Sequence, residues 1–487
     1  MQVLKLDLCF YLQKLPDGLT RLKALQHLSL IGCRSLSSLP PQIGKLTSLK
    51  TLSKYIVGNK SGFLLEELGQ LNLKGQLHIK NLERVKSVTD AKKANLSMKK
   101  LNQLWLSWER NEVSQLQENI EQILEALQPY AQQLYSFGVG GYPGAHFPPW
   151  ISSPSLKDLD SLELVDCKSC LNLPELWKLP SLKYLMALKT LYLEKLPNLI
   201  SLSREEGENM FPRLEALQIS ECPNFLGLPW LPYLNHLSIE GKYNQELPTS
   251  IHKLGNLETL HFSENEELIY FPEGILQNLA SSVKKLGFHH HSELKILPTE
   301  MIHLHALKEL YINYCQNIKS LTNEVLQGLQ SLKVLEIVGC RKFDLSTGFQ
   351  YLTCLETLAI GSCSEVEGFH EALQHMTTLQ SLTLSDLPNL EFLHECFENL
   401  TLLRELMIYV CPKLACLPTS IQQLSGLKLL SIYSCPNLEK RCRKGIGEDW
   451  PKIAHVEYID IHNENITHGG HGGRYFDVDA DFLWSSL

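Results

Sequence analysis

The sequence predicts an α/β solenoid: a horseshoe with a parallel β-sheet on its concave face and short helical, 3₁₀ or irregular legs on its convex side. Three observations carry this. An apolar pattern, L-x-x-L-x-L-x-x-C-x-x-L-x-x-L, recurs along the chain. Its L-x-L centre alternates with period two, as a strand with one buried face does. The stretch that follows, often opened by proline, spaces its apolar residues by three, as a short helical or 3₁₀ turn does.

Each part of the repeat can be read in turn. Leu25, Leu28, Leu30, Cys33, Leu36 and Leu39 fill the pattern early, followed by Pro40. Leu307, Leu310, Ile312, Cys315, Ile318 and Leu321 fill it in the middle. Leu403, Leu406, Ile408, Cys411, Leu414 and Leu417 fill it late, followed by Pro418. Most steps are about 24 residues, inside the range of leucine-rich repeats, and roughly eighteen units can be counted. No unit buries its apolar face alone, so stacking neighbours must close the core. The cysteine falls where the chain leaves the strand. There it packs as a small apolar residue with a weak donor. Cys9, Cys33, Cys167, Cys222, Cys315, Cys340, Cys363, Cys411 and Cys435 are structural on this reading, which accounts for most of the 14 cysteines.

The return legs are legible in "LPPQIGKLTSL", "LPTSIHKLGNL" and "LPTSIQQLSGL". Between residues 54 and 134 the beat loosens. "SVTDAKKANLSMKKL" looks helical there, and Leu116, Ile120, Ile123, Leu124 and Leu127 share one helical face. The solenoid is expected to span 1–461, with these longer helical insertions within 54–134. The Gly- and Asp-rich segment 462–487 is expected to be a flexible tail. Met1 already occupies the first leucine position of a repeat. Either a longer protein precedes it, or the start is poorly ordered.

Bulk numbers narrow the function. The chain has 487 residues, 44% of them hydrophobic, with a net charge of −8. The acidic balance argues against nucleic acid. No apolar run reaches the roughly 20 residues that cross a bilayer, and no signal peptide is visible. A cytoplasmic location with reduced thiols is expected, with the nucleus as the other compartment.

The repeat resembles the leucine-rich-repeat region of plant intracellular nucleotide-binding disease-resistance receptors of the coiled-coil class. "SLKTLSKYIVGN", "KKLNQLWLSWE", "GVGGYPGAHFPPWI" and "EKRCRKGIGEDWPKIAHVEYIDI" carry that resemblance locally. It implies a protein partner: a pathogen effector, a host guardee or decoy, or the receptor's own nucleotide-binding domain held in check. It implies no enzyme activity and no cofactor. The coiled coil and nucleotide-binding domain of such receptors are not in this sequence, so the chain reads as a truncated or fragmentary receptor. Gly44 and Lys45 in "IGKLTS" lack the spacing of a phosphate-binding loop. A substrate-recruiting adaptor of a ubiquitin ligase is the alternative; it would need an F-box-like helical segment before the repeats.

Local motifs are better explained by the repeat than by chemistry. Cys167 and Cys170 in "CKSC" are two core positions. In "HEALQH" five residues rotate His375 off the face of His370, which spoils joint metal ligation. In "FHHHSEL" the register turns Phe288 inward, leaves His289 and His290 facing solvent, and puts His291 in the cysteine's place. Lys440 to Lys444 read as a solvated corner. Catalytic and metal residues are therefore not nominated. The residues nominated are those that the strands turn outward: Trp105, Trp108, Tyr192, His289, Tyr311, Asn313, Glu336, Met407, Tyr409 and Tyr433. Outward aromatic rings supply binding energy at interfaces.

Overall fold

The structure, a computed structural model, describes residues 1–109, 117–153, 155–170, 173, 188–202, 211, 213–244, 246–343, 349–369 and 371–462. It is a leucine-rich-repeat solenoid. Val3–Lys5, His27–Ser29 and Thr51–Leu52 form a three-stranded parallel sheet. Among the described residues, Lys54–Ile56 opens a ladder of 17 parallel strands that runs to Tyr458–His462. Ser53 joins the two sheets. Its N–H donates to the Leu28 carbonyl at 3.2 Å, and its own carbonyl accepts from the His78 N–H at 2.9 Å. Through the middle the register is strict: Leu286, Leu310 and Leu335 are lateral neighbours, as are Phe288, Ile312 and Ile337. All six are buried in one continuous apolar core.

Most strands end on a sharp bend. Tyr314, Ser362, Val410 and Ser434 take left-handed backbone angles, and Gly32 and Gly339 stand at the equivalent place. A non-glycine residue costs ~1–2 kcal/mol there, which one added ladder bond offsets. The Tyr314 N–H donates to the Val338 carbonyl, the Ser362 N–H to Ser385 and the Val410 N–H to Tyr433.

The cysteine comes directly after the bend. Cys315 Sγ donates to the carbonyls of Phe288, one rung back, at 3.6 Å and Asn313 at 3.5 Å. Cys340 and Cys363 repeat this geometry. Burial pushes the thiols up, to about 12 for Cys315 and Cys222 and about 11 for Cys363. They stay protonated and inert. Cys167 and Cys170 are both fully buried. Cys9 departs from the expectation: it is exposed, beside the first strand Val3–Lys5.

The convex legs interlock by their own hydrogen bonds. Thr299–His303 and Thr419–Gln423 are 3₁₀ turns, each preceded by a proline. Glu395 on one leg accepts from the Thr419 and Ser420 N–H groups of the next, both at 2.8 Å. Lys99 is buried, and its ammonium donates to the carbonyls of Leu68 and Leu71, both at 2.7 Å. Burial pushes its pKa down to about 8. Val88–Lys93 and Gln117–Ala126 are the helical insertions, the first capped by Ser87 Oγ. Ile120, Ile123, Leu124 and Leu127 are buried; Leu116, His370 and the segment 463–487 lie outside the described residues. Among those described, no helix is long and apolar enough to cross a membrane.

Candidate functional site: the concave face

Because every strand is in register, outward residues form columns. One column runs His78, Trp105, Gly138, Glu163, Tyr192, Gln218, Ser238, His261, Gly287, Tyr311, Glu336. It continues as Ala359, Thr383, Met407, Ser431 and Asp460. The chemistry changes along it in sectors.

The first sector is aromatic and shallow. The Trp105 indole covers the positions where Gly138 and Gly140 lack side chains, and His78 meets it edge-on at 6.1 Å. His78 also bonds Ser107 Oγ at 2.9 Å, and burial pushes its pKa down to about 3. Trp108 is a correction. The sequence reading turned it outward, but its side chain is 6% exposed and lies in the core, edge-on to Tyr142 at 5.2 Å. Its backbone is absent from the left-handed bends that end other strands. Period two therefore carries residues 104, 106 and 108 to one side.

The second sector is acidic. Tyr192 donates to Glu194 at 2.7 Å. Burial raises the pKa of Glu163. Burial, together with Glu264 and Glu194, raises that of Glu240 to about 7. The third sector is a polar network. Lys285 lies 4.8 Å from the Tyr311 ring centroid and 3.3 Å from Glu309, which also accepts from the Tyr311 hydroxyl at 2.9 Å. Asn313 donates to Glu336 at 2.8 Å. Both face the concave side, yet they are only 1% and 6% exposed, walled in by neighbouring rungs. His261 and His289 pair beside them, 3.2 Å apart.

Beyond a floor of small residues, Ala359, Gly361, Thr383 and Ser385, comes an apolar sector. Met407, Tyr409 and Tyr433 stand together there, with the two tyrosine rings 5.5 Å apart. Tyr433 donates to Asp460 on the last rung. Of the ten nominated residues, Trp105, Tyr192, His289, Tyr311, Met407, Tyr409 and Tyr433 are half-buried on this face. The sequence reading missed His261 and Asp460. The register alone places His261 outward in "LETLHFS", since it fills the x of L-x-L.

Comparison with known proteins fits this geometry. The family described as R13L1/DRL21 LRRs matches residues 65–191. RGA4 of Solanum bulbocastanum, named as a disease-resistance protein, is 34% identical over 301 residues, 56% of this chain and 30% of that protein. In its leucine-rich repeats the chain is thus similar to plant disease-resistance proteins. The RPP13-like protein 1 of Arabidopsis thaliana is 31% identical over 339 residues, 59% of this chain and 31% of that protein. The solenoid thus spans less than a third of the length of these relatives. Among solved structures, the TLR13–ssRNA13 complex superposes with a TM-score of 0.53 at 19% identity, covering 93% of this chain and 72% of that one. That likeness concerns the fold alone.

Proposed function

We propose that the concave face is a protein-recognition surface of plant innate immunity. It binds a pathogen effector or a host protein, restrains a nucleotide-binding switch domain, or does both in alternation. In the last case the ligand competes with the inhibitory contact and shifts the population toward the active receptor. The observation that supports this reading best is the Met407, Tyr409 and Tyr433 cluster. A flexible thioether and two amphipathic rings on adjacent rungs are the side chains that anchor protein partners. The chain's net charge of −8 disfavours a phosphate backbone and favours a protein.

Photo-crosslinking tests this. A photoreactive amino acid is placed at Met407, or at Lys253 on the convex side, and the chain is expressed in leaf cells. The Met407 probe is expected to capture a defined protein, and the capture is expected to disappear when Tyr409 and Tyr433 are both alanine. Equal capture from both faces, unaffected by those substitutions, would refute the reading.

A further inference from the structure

The strand Tyr458–His462 has no described leg after it, so the leg before it, residues 435–456, is the last one described. Leu438, Cys442 and Ile453 of that leg are fully buried. Its surface is of another kind. Ile446 is 82% exposed, and Lys440, Arg443 and Lys444, within six residues of it, are exposed too. Among the described residues these three cations have no ion pair, whereas their neighbours Arg441 and Lys452 do. The carboxylates of the same leg are engaged. Glu439 accepts from the Cys435 N–H at 2.9 Å, Glu448 from Arg441, and Asp449 from Arg441 and Lys452. The corner therefore keeps uncompensated positive charge.

The turn that carries these side chains is held by its own backbone. The Ile446 and Gly447 N–H groups donate to the Arg443 carbonyl at 3.2 and 2.8 Å, and the Asp449 N–H donates to the Arg441 carbonyl at 2.9 Å. Gly445 takes a φ of 72°, and a Cβ on Gly447 would collide with the Arg441 carbonyl. A surface fixed in advance loses little freedom when it is occupied. The chain itself supplies a complementary segment. Residues 476–484 read "FDVDADFLW": Phe476, Val478, Ala480 and Phe482 alternate with Asp477, Asp479 and Asp481, and Leu483 and Trp484 follow. Alternation of period two sorts apolar from acidic side chains. The 13 residues 463–475 that lead to this segment span up to ~45 Å. They start from His462, which is registered against Tyr433. Lys444 follows Tyr433 by 11 residues, which span at most ~40 Å. The corner is within reach.

We propose that segment 476–484 docks on this corner of its own chain. Asp477, Asp479 and Asp481 meet Lys440, Arg443 and Lys444, and Phe482 and Trp484 cover Ile446. Exposed ion pairs are individually weak. Apolar cover over Ile446 and the short linker, which holds the segment at high effective concentration, add what they lack. The docked segment covers the last described leg as each earlier leg is covered by its successor. The docking does not depend on the recognition reading above, since Met407, Tyr409 and Tyr433 take no part in it.

The test is photo-crosslinking within the purified full chain, with p-benzoylphenylalanine in place of Phe482 and the products mapped by peptide mass spectrometry. Crosslinks are expected within 436–450, at a yield unchanged by tenfold dilution. Arg443→Glu combined with Lys444→Glu is expected to cut the yield at least fivefold. Adding Asp479→Lys and Asp481→Lys to that chain is expected to restore it. Arg404→Glu combined with Lys428→Glu, at exposed cations just before the strands Glu405–Tyr409 and Leu429–Tyr433, is expected to leave it unchanged. A second measurement needs no probe. Hydrogen exchange at Ile446 and Gly447 is expected to be at least threefold faster in the triple variant Asp477→Asn, Asp479→Asn, Asp481→Asn. Crosslinks that scatter over the solenoid, form only between copies or ignore the charge reversal overturn the docking, as does unchanged exchange in the triple variant.

Discussion

The indole of Trp105 occupies the space above Gly138 on the next strand, and a Cβ added to Gly138 would overlap its six-membered ring. The glycine-rich "GVGG" and the tryptophan one rung earlier are therefore one feature. Gly138→Ala is expected to expel the indole and to cost about 1–3 kcal/mol, the usual cost of overpacking. In a Trp105→Ala background the same substitution is expected to be nearly neutral. A double-mutant cycle by urea denaturation measures the coupling; additive costs would mean that the two residues do not share the space.

The thiols offer a direct check of the repeat. Ten described cysteines are buried, Cys9 and Cys354 are exposed, and Cys416 is intermediate. Alkylation of the native protein followed by peptide mass spectrometry is expected to label Cys9 and Cys354 quickly and Cys416 more slowly. Cys315, Cys340 and Cys363 are expected to react only after denaturant is added. Labelling of these three at the rate of Cys9 would contradict their place in the core.

The strands were legible because their signal is local and repeated. Leu307, Leu310 and Ile312 alternate, and the next rung repeats them one unit later. What a side chain does on the outward face depends instead on its lateral neighbours, which lie more than twenty residues away in sequence. Asn313 is sealed between rungs, and His289 turns to His261. Trp108 was misread because its strand does not end in the left-handed bend found elsewhere. A second ladder also went unread, although its signal is plain: an asparagine two residues after the cysteine position in "CPNF", "CQNI" and "CPNL".

That ladder predicts a stability effect. Asn317 Nδ2 donates to the Ser292 carbonyl of the preceding unit at 2.8 Å, while its Oδ1 accepts from Lys342 of the following unit at 3.0 Å. Asn389 makes the same two bonds, to Ser364 and from Lys413. Asn224 and Asn437 also donate backward, to Pro197 and Pro412. Asn317→Ala is expected to cost about 1–2 kcal/mol, one to two net hydrogen bonds. Asn317→Asp keeps the lysine contact but loses the donor, so it should fall between. Denaturation midpoints of the two variants decide the order.

The concave histidines set a pH dependence. Burial pushes His78 and His289 down to about 3 and His261 to about 4. An unfolded histidine titrates near 6.5. Below that pH the unfolded chain takes up protons that the folded chain refuses, so stability is full above about 6.5 and is lost as pH falls toward 4. Each such histidine costs about 2 kcal/mol between pH 6.5 and 5. Glu240, held protonated up to about 7 by burial and by Glu264 and Glu194, contributes with opposite sign between about 4.5 and 7. A comparison isolates the histidine share: His78→Gln is expected to lose less stability than the parent between pH 7 and 5. Equal losses would show that His78 does not resist protonation in the fold.

The last rung depends on one carboxylate. Asp449 is fully buried, and it accepts from Arg441 Nε and Nη2 and from the Leu417 N–H, all at 3.0 Å, and from Lys452 Nζ at 2.9 Å. Burial alone would raise its pKa, but the bonds from Arg441, Leu417 and Lys452 outweigh it and hold the carboxyl below its ordinary value. These bonds tie the helices Pro436–Arg441 and Trp450–Ile453 to the preceding unit, and so close the solenoid over Cys435 and Leu438. Removing the carboxylate strips the Leu417 N–H of its acceptor and leaves Arg441 with Glu448 and Lys452 with the Leu417 carbonyl alone, at about 3–5 kcal/mol. Removing Arg441 leaves Asp449 still bonded to Lys452 and Leu417, so Arg441→Ala is expected to cost less. The loss should be local, because contacts in a solenoid run only between neighbouring units. Hydrogen exchange is expected to speed up across Tyr458–His462 and at Leu417 in Asp449→Ala, and to stay at the parental rate across Lys285–His289. Unchanged protection at Tyr458–His462 would mean that apolar packing, not this carboxylate, holds the end of the ladder.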